Sequence, residues 1–369
     1  MWNTDIDWPF KTPPTRDFLI SQGLDVDQWH LLGLNESPMG PSVEVSEYIA
    51  EAMVYLNRYP DNVLPTLVQD IAQKTGIAEE CQIWGNGAGD LINRAVAIAS
   101  QHQLNIVSPS PTFWGYERTY KLQQAQVTRT KLDANGNIDI DELLGAIDGN
   151  TGIVTFATPG NPSGVSLSAQ AIETVARQTP DNVLLMIDEV YHEFCVHEGG
   201  PDALEIVRRV RTAPWVVLRS FSKAYQLAGA RVGYGLASDP FTAKRLREHT
   251  LNFNISNLNY AAAIAAWRDG SSLQSYLEFN RLEKEFLCSQ LKKLGLRVLE
   301  SAANFVAVET PLPSVQLLAE LRKYKIACAP WNHEQFDHFI RIGIGKRESS
   351  EAVINALTEI LTPVQSRSS

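Results

Sequence analysis

Val183-Leu184-Leu185-Met186-Ile187-Asp188-Glu189-Val190-Tyr191 runs five apolar residues straight into two carboxylates and, two positions on, a phenol. An apolar run this short is too brief for a helix, and its lack of alternation fits a strand buried on both faces. Three more runs of the same kind flank it: Asn105-Ile106-Val107, Gly152-Ile153-Val154-Thr155-Phe156 and Trp215-Val216-Val217-Leu218. Longer amphipathic stretches separate them, such as Ser168 to Arg177, and from Val45 the apolar positions Ile49, Ala52, Met53 and Leu56 recur at helical spacing. Strands alternating with helices predict an α/β fold around a mostly parallel sheet.

The character changes further on. Leu277 to Leu294 reads as a charged amphipathic helix, Phe305–Val308 and Phe339–Ile342 as strands, and Ser314–Lys323 and Ser350–Leu361 as helices. That pattern suits a smaller α+β unit. The expected division is an N-terminal arm over 1–42, irregular and rich in proline, a large domain over 43–250 and a small C-terminal domain over 251–369, with Pro363 to Ser369 a frayed tail.

Composition narrows the function. The chain has 369 residues, is 44% hydrophobic and 20% charged, and carries a net charge of −10. An acidic chain is poorly suited to nucleic-acid phosphates, so no nucleic-acid partner is expected. No apolar run is long enough for a transmembrane helix, and the first residues lack the basic start and apolar stretch of a secretory leader. Cys81, Cys195, Cys288 and Cys328 lie far apart with no CxxC. This argues against a disulfide scaffold or a zinc site and suits a cytoplasmic enzyme. His30, His192 and His197 show no ligand spacing, and no metal is expected.

In an open α/β sheet, ligands bind beyond the carboxyl ends of the strands. Three such ends carry reactive groups: Thr158-Pro159-Gly160-Asn161-Pro162-Ser163-Gly164, Asp188-Glu189-Val190-Tyr191 and Arg219-Ser220-Phe221-Ser222-Lys223. A fourth element, Gly85-Asn86-Gly87-Ala88-Gly89-Asp90, opens a helical pattern. Its free backbone N–H groups would make an anion site, which Ser220, Ser222 and Arg231 could share. An amine for a Schiff base, a carboxylate for a protonated pyridine nitrogen and an anchor for a phosphate are the requirements of pyridoxal 5′-phosphate (PLP).

The same residues resemble a known family. Leu34-Asn35-Glu36-Ser37-Pro38-Met39-Gly40-Pro41-Ser42, Arg58-Tyr59-Pro60-Asp61, Pro111-Thr112-Phe113, Gly160–Gly164, Asp188–Tyr191, Ser222–Arg231, Ala303-Asn304-Phe305 and Arg341-Ile342-Gly343 fall in the order of the fold-type-I PLP enzymes of aminotransferase class I/II. The nearest branch resembles histidinol-phosphate aminotransferase. The resemblance implies a large domain with a seven-stranded sheet and a smaller α+β domain that the arm joins at the pocket entrance. It implies Lys223 as the Schiff-base lysine and proton shuttle, Asp188 on the pyridinium nitrogen, and Tyr191 and Asn161 on the ring oxygen. Phe113 would stack on the ring. Ser220, Ser222, Arg231 and the N–H groups of Gly87, Ala88 and Gly89 would cradle the phosphate. Tyr59 would reach the phosphate of a neighbouring subunit in a homodimer, and Arg341 would clamp a substrate anion.

Two departures stand out, one at the cofactor phosphate, where backbone N–H groups can still bind, and one that bears on the substrate. The phosphate loop has Ala88 and Gly89 where the family usually carries a hydroxyl and an acid. The segment Lys325-Ile326-Ala327-Cys328-Ala329-Pro330-Trp331 lacks the second arginine that the histidinol-phosphate branch uses on its substrate's phosphate. Acids flank the pocket-lining segment instead: Asp5, Asp7, Asp17, Asp25, Asp27, Glu36 and Asp61. A pocket that loses a cation and gains acids favours a cationic substrate tail. Glu36 and Asp61 are therefore candidate substrate residues, with a basic amino acid as substrate. The expected activity is an aminotransferase that does not use histidinol phosphate. The alternatives are a PLP-dependent lyase or cyclase acting on a hydroxylated basic amino acid such as hydroxyarginine, and a decarboxylase.

Overall fold

The computed structural model describes residues 13–60 and 65–365. They form two compact units, one of residues 39–281 and 301–303, the other of 1–38, 282–300 and 304–369, the described residues of each being meant here and below. The division falls inside the long helix Gly270–Lys293, beyond the expected boundary, because the helix Asn257–Arg268 packs on Val43–Ala52 of the larger unit.

The larger unit is built on a seven-stranded sheet. Its strands are β1 (Gln82–Gly85), β2 (Asn105–Ser110), β3 (Gln126–Lys131), β4 (Thr151–Ala157), β5 (Leu184–Asp188), β6 (Trp215–Ser220) and β7 (Gly233–Ala237). In space they run β1-β7-β6-β5-β4-β2-β3. Only β7 opposes its neighbours. The four runs read from sequence are β2, β4, β5 and β6. The other three carry weaker signals: β3 is a largely exposed edge strand of alternating polar residues, β7 is the glycine-containing Gly233-Tyr234-Gly235-Leu236-Ala237, and β1 is four residues long.

Adjacent strands place Thr155 opposite Met186, and Met186 opposite Val216. Side chains alternate across a strand, so Thr155, Met186, Asp188, Val216, Leu218 and Ser220 share one face. The core on that face joins Met186, Val216 and Leu218 to Leu91, Ile92, Ala95 and Val96 of the helix Ala88–Gln101 and to Tyr116 of the helix Trp114–Leu122. The helix Ala169–Gln178 starts where Ser168 Oγ accepts from Ala171 N at 3.1 Å, and it packs on the helix Ala203–Val210.

The smaller unit holds an antiparallel sheet of Ala329–Pro330, Phe339–Gly343, Phe305–Glu309 and Arg297–Val298. Leu317, Leu321, Val353 and Leu357, from the helices Ser314–Lys323 and Arg347–Gln365, pack in one core with Val306, Val308, Ile340 and Ile342. The described part of the arm is more ordered than an irregular segment. It forms the helix Arg16–Ser21, and its strand His30–Leu31 pairs in parallel with Ile326–Ala327. Gly343 N then donates to Leu32 O at 2.7 Å. The last helix continues to Gln365, so the expected frayed tail is helical over 363–365.

Candidate active site

The carboxyl ends of β4, β5 and β6 lie side by side. Ala157 pairs with Asp188, and Asp188 with Leu218. Thr158 N donates to Asp188 O at 2.9 Å, and Glu189 N to Leu218 O at 2.8 Å. This register brings the three predicted strand ends to one rim. Asn161 Nδ2 donates to the Tyr191 hydroxyl at 3.4 Å, so the two groups assigned to the ring oxygen meet. Lys223, three residues past β6 and half-buried, leads into the turn that ends at Arg231.

Asp188 is buried at 4% exposure. Val190 N donates to Oδ1 at 3.2 Å and the Tyr116 hydroxyl to Oδ2 at 3.3 Å. Burial dominates over these donors and pushes its carboxyl up to about 7. A buried carboxylate in that condition is set up to gain from a cation. A pyridinium supplies one.

Two glycine-dependent contacts shape the loop ahead of the helix Ala88–Gln101. Ser220 of β6 pairs with Gly233 of β7, and Gly233 with Gly85 of β1, which aligns the loop after β1 with Ser220. A side chain at Gly233 would overlap the Ala88 amide. Gly87 has φ +76°, and a Cβ there would lie 2.5 Å from Arg231 Nη2. Arg231 itself is left-handed at φ 53° and is held by Ala228 O at 3.0 Å, Asn86 O at 3.3 Å and Ser222 Oγ at 3.3 Å. Ser222 Oγ also accepts from Ser220 Oγ at 3.0 Å, which leaves the Ser222 proton to donate elsewhere. Asp90 closes the loop: its Oδ2 accepts from Asn86 N at 3.0 Å and pairs with buried Arg94 at 2.5 Å. Ala88 and Gly89 open the helix Ala88–Gln101 with unpaired N–H groups. Hydroxyls, a guanidinium and helix N–H groups converge here, and the donor set fits a phosphate ester.

Phe113 is half-buried ahead of the helix Trp114–Leu122, edge-on to Trp114 at 5.4 Å between ring centres. Tyr59 is 81% exposed and stacks on Phe253 at 4.6 Å. Asp61 lies outside the described residues, as do Asp5 and Asp7. Glu36 is exposed in the smaller unit. Arg341, in the same unit, is buried, donates to Gly33 O at 2.6 Å and lies 5.4 Å over the Phe305 ring. Its neighbours across the sheet are Ala307 and Ala329.

Two sets of contacts were not predicted from the sequence. Tyr116 reaches Asp188 from the helix, Thr155 of β4 reaches the Tyr116 hydroxyl, and no local spacing announces either contact. Glu189 and Arg219 form the other set. Arg219 donates to Glu189 Oε2 at 2.9 Å and to Asp202 Oδ1 at 3.1 Å, all behind the rim. Burial works against the Glu189 charge, but Arg219 and His192 hold its carboxyl down at about 2. Ligand atoms of Glu189, His192 and Asp202 come within 4.8 Å of one another, and Arg219 already pairs with both carboxylates.

The chain matches the family Aminotransferase class I and II over residues 27–357. It belongs to that family. A histidinol-phosphate aminotransferase of Halalkalibacterium halodurans is 32% identical over 96% of this chain and 94% of its own length. Another, from Moorella thermoacetica, is 32% identical over 93% and 88%. Among solved structures, a histidinol-phosphate aminotransferase from Sinorhizobium meliloti in complex with pyridoxal-5′-phosphate overlays with a TM-score of 0.86 at 24% identity, covering 96% of both chains. The L-threonine-O-3-phosphate decarboxylase of Porphyromonas gingivalis shares the fold, with a TM-score of 0.73 at 18% identity over 89% of this chain and 98% of that one. The protein is thus a PLP-dependent aminotransferase. Among its described residues, no helix is long and apolar enough to cross a membrane.

Proposed function

We propose that this aminotransferase takes an α-amino acid with a basic side chain and not histidinol phosphate. The observation that carries the reading is that Arg341 is flanked across the sheet by Ala307 and by Ala329, the latter in a segment, 325–331, without an arginine. One guanidinium matches one carboxylate in a bidentate fork, while a phosphate dianion left with a single arginine loses a strong charge-assisted contact. Cys328 adds no charge there, because burial pushes its thiol up to about 12. Glu36, with Asp61 of the undescribed segment, would then meet the cationic tail.

In this reading Lys223 holds the cofactor and moves the α-proton, Asp188 faces the ring nitrogen, and Asn161 and Tyr191 bond the ring oxygen. Phe113 lies against the ring. Ala88, Gly89, Ser220, Ser222 and Arg231 hold the phosphate, while Gly87, expected to donate as well, has its N–H on Gly85 O at 2.7 Å and shapes the loop instead; Arg341 holds the substrate carboxylate. When bound, the cofactor supplies an aldehyde for the substrate amine and a ring that takes up the electron pair of the broken Cα–H bond. The active unit is a homodimer, in which Tyr59 serves the neighbouring subunit's phosphate. Support for this comes from exposed apolar side chains on the larger unit, Val54, Tyr55, Leu56, Tyr59 and Leu251, each at least 57% exposed.

The test is a single turnover of the holoenzyme without keto acid, offered arginine, hydroxyarginine, aromatic amino acids or histidinol phosphate in turn. One keto acid per active site from arginine, with pyridoxamine phosphate formed, is the expected result. A higher kcat/KM for histidinol phosphate overturns the substrate assignment. Repeated turnover with loss of water or carbon dioxide would instead make the reaction an elimination or a decarboxylation.

A further inference from the structure

Asp188 is gripped by a chain of two hydroxyls. Thr155 Oγ1 donates to the Tyr116 phenol oxygen at 3.5 Å, and the phenol donates to Asp188 Oδ2 at 3.3 Å. Thr155 is 0% exposed, Tyr116 1% and Asp188 4%. The three residues stand on separate elements, β4, the helix Trp114–Leu122 and β5, and on one face of the sheet.

Packing alone does not call for those hydroxyls. Valine would fill the Thr155 site and phenylalanine the Tyr116 site, without the cost of burying a polar group. Their presence is accounted for by the carboxylate at the end of the chain. A carboxylate has two oxygens with about two acceptor sites each. The protein supplies one donor to each oxygen, Val190 N to Oδ1 and Tyr116 to Oδ2, and this fixes the rotation of the carboxylate plane. Acceptor capacity remains for an incoming N–H. The phenol stays a donor across the working pH range, because burial and the Asp188 charge both drive its ionisation well above the ordinary tyrosine range.

We propose that Tyr116, backed by Thr155, is a positioning residue that aims the Asp188 carboxylate at the cofactor's ring nitrogen. This rests on the assignment of Asp188 to that nitrogen. A misaimed carboxylate would bond a pyridinium less well while leaving the phosphate cradle untouched. Tyr116→Phe should therefore weaken the hold on PLP selectively, through the ring nitrogen.

The experiment compares PLP with its analogue carrying CH in place of the ring nitrogen. Dissociation constants are measured by dilution of full-length holoenzyme loaded with either, followed by cofactor absorbance. Wild type should prefer PLP, and Asp188→Ala should lose that preference. Tyr116→Phe should bind PLP about tenfold more weakly, the size of one hydrogen bond to a charged group, and the analogue within twofold of wild type. Thr155→Val should lose roughly threefold toward PLP alone, the effect of a donor one step removed, and it carries the test if Tyr116→Phe does not fold. Equal losses toward both ligands would make Tyr116 a packing residue and overturn the proposal. So would no loss toward either. If Asp188→Ala keeps the wild-type preference, the assignment of Asp188 itself fails, an outcome distinct from failure of the tyrosine alone.

Discussion

Asp188 shows how one residue carries both a function and a cost. Its carboxyl titrates near 7 in the folded protein, against about 4 for an unperturbed aspartate. Between those values the folded state binds the proton that the unfolded state has lost. Stability of the cofactor-free protein therefore falls as pH rises from about 4 to about 7, and levels off above. Asp188→Asn removes this penalty while keeping the shape. The variant should match wild type near pH 4 and exceed it by about 4 kcal/mol above pH 7. Urea midpoints of the two cofactor-free proteins at pH 4.5 and pH 8 check this, and an unchanged difference would show that the carboxyl is not perturbed. Loading the cofactor should shrink the gap from the other side, since a pyridinium favours the ionised form.

At the scale of elements, the proposed phosphate cradle depends on how closely β1, β7 and the helix Ala88–Gln101 approach. Gly233 sits in the row Gly85, Gly233, Ser220, with the Ala88 amide against its Cα. The obstacle is backbone and not the end of a flexible side chain. Gly233→Ala should push the helix start off the sheet, costing about 2–3 kcal/mol of stability, as overpacking does. It should also weaken PLP by more than tenfold, with pyridoxal lacking the phosphate much less affected. Equal affinity of the variant and wild type for PLP would show that the cradle tolerates the shift. Gly87 plays the partner role: its left-handed backbone leaves the space that Arg231 Nη2 occupies.

For the whole molecule, the exposed apolar residues gather where segment 53–59 meets segment 251–257. Asn257 Nδ2 donates to Arg58 O at 3.3 Å, and Tyr59 stacks on Phe253. Contiguous apolar surface of this kind marks an interface. In the proposed homodimer this surface is the contact, and Leu251→Glu should then give a monomer in sedimentation at micromolar concentration where wild type gives a dimer. The monomer should bind PLP less tightly, because Tyr59 of a neighbour would be withdrawn. A variant that stays dimeric would place the contact elsewhere.

The sequence by itself determined the family, the cofactor and the places of four buried strands in the chain. Each rests on short-range information. A run such as Val183–Ile187 can only be a strand buried on both faces, and its next residues must then stand at the ligand-binding edge. The lysine-to-arginine segment 222–231 is similarly local. Tertiary structure decided the rest. Tyr116 and Asp188 are 72 residues apart, and their contact arises because α/β crossovers lay a helix over a strand end. Arm residue His30 pairs with Ile326 across nearly the whole chain. The strands β3 and β7 were not read because an exposed edge has polar alternation and a glycine-containing strand has few side chains to bury. The division inside the helix Gly270–Lys293 left no mark, since a helix that serves two units keeps one unbroken pattern. Local residues dictate which groups reach the sheet edge, whereas long-range packing fixes how each is held, and it is the holding that sets the charge and direction of Asp188.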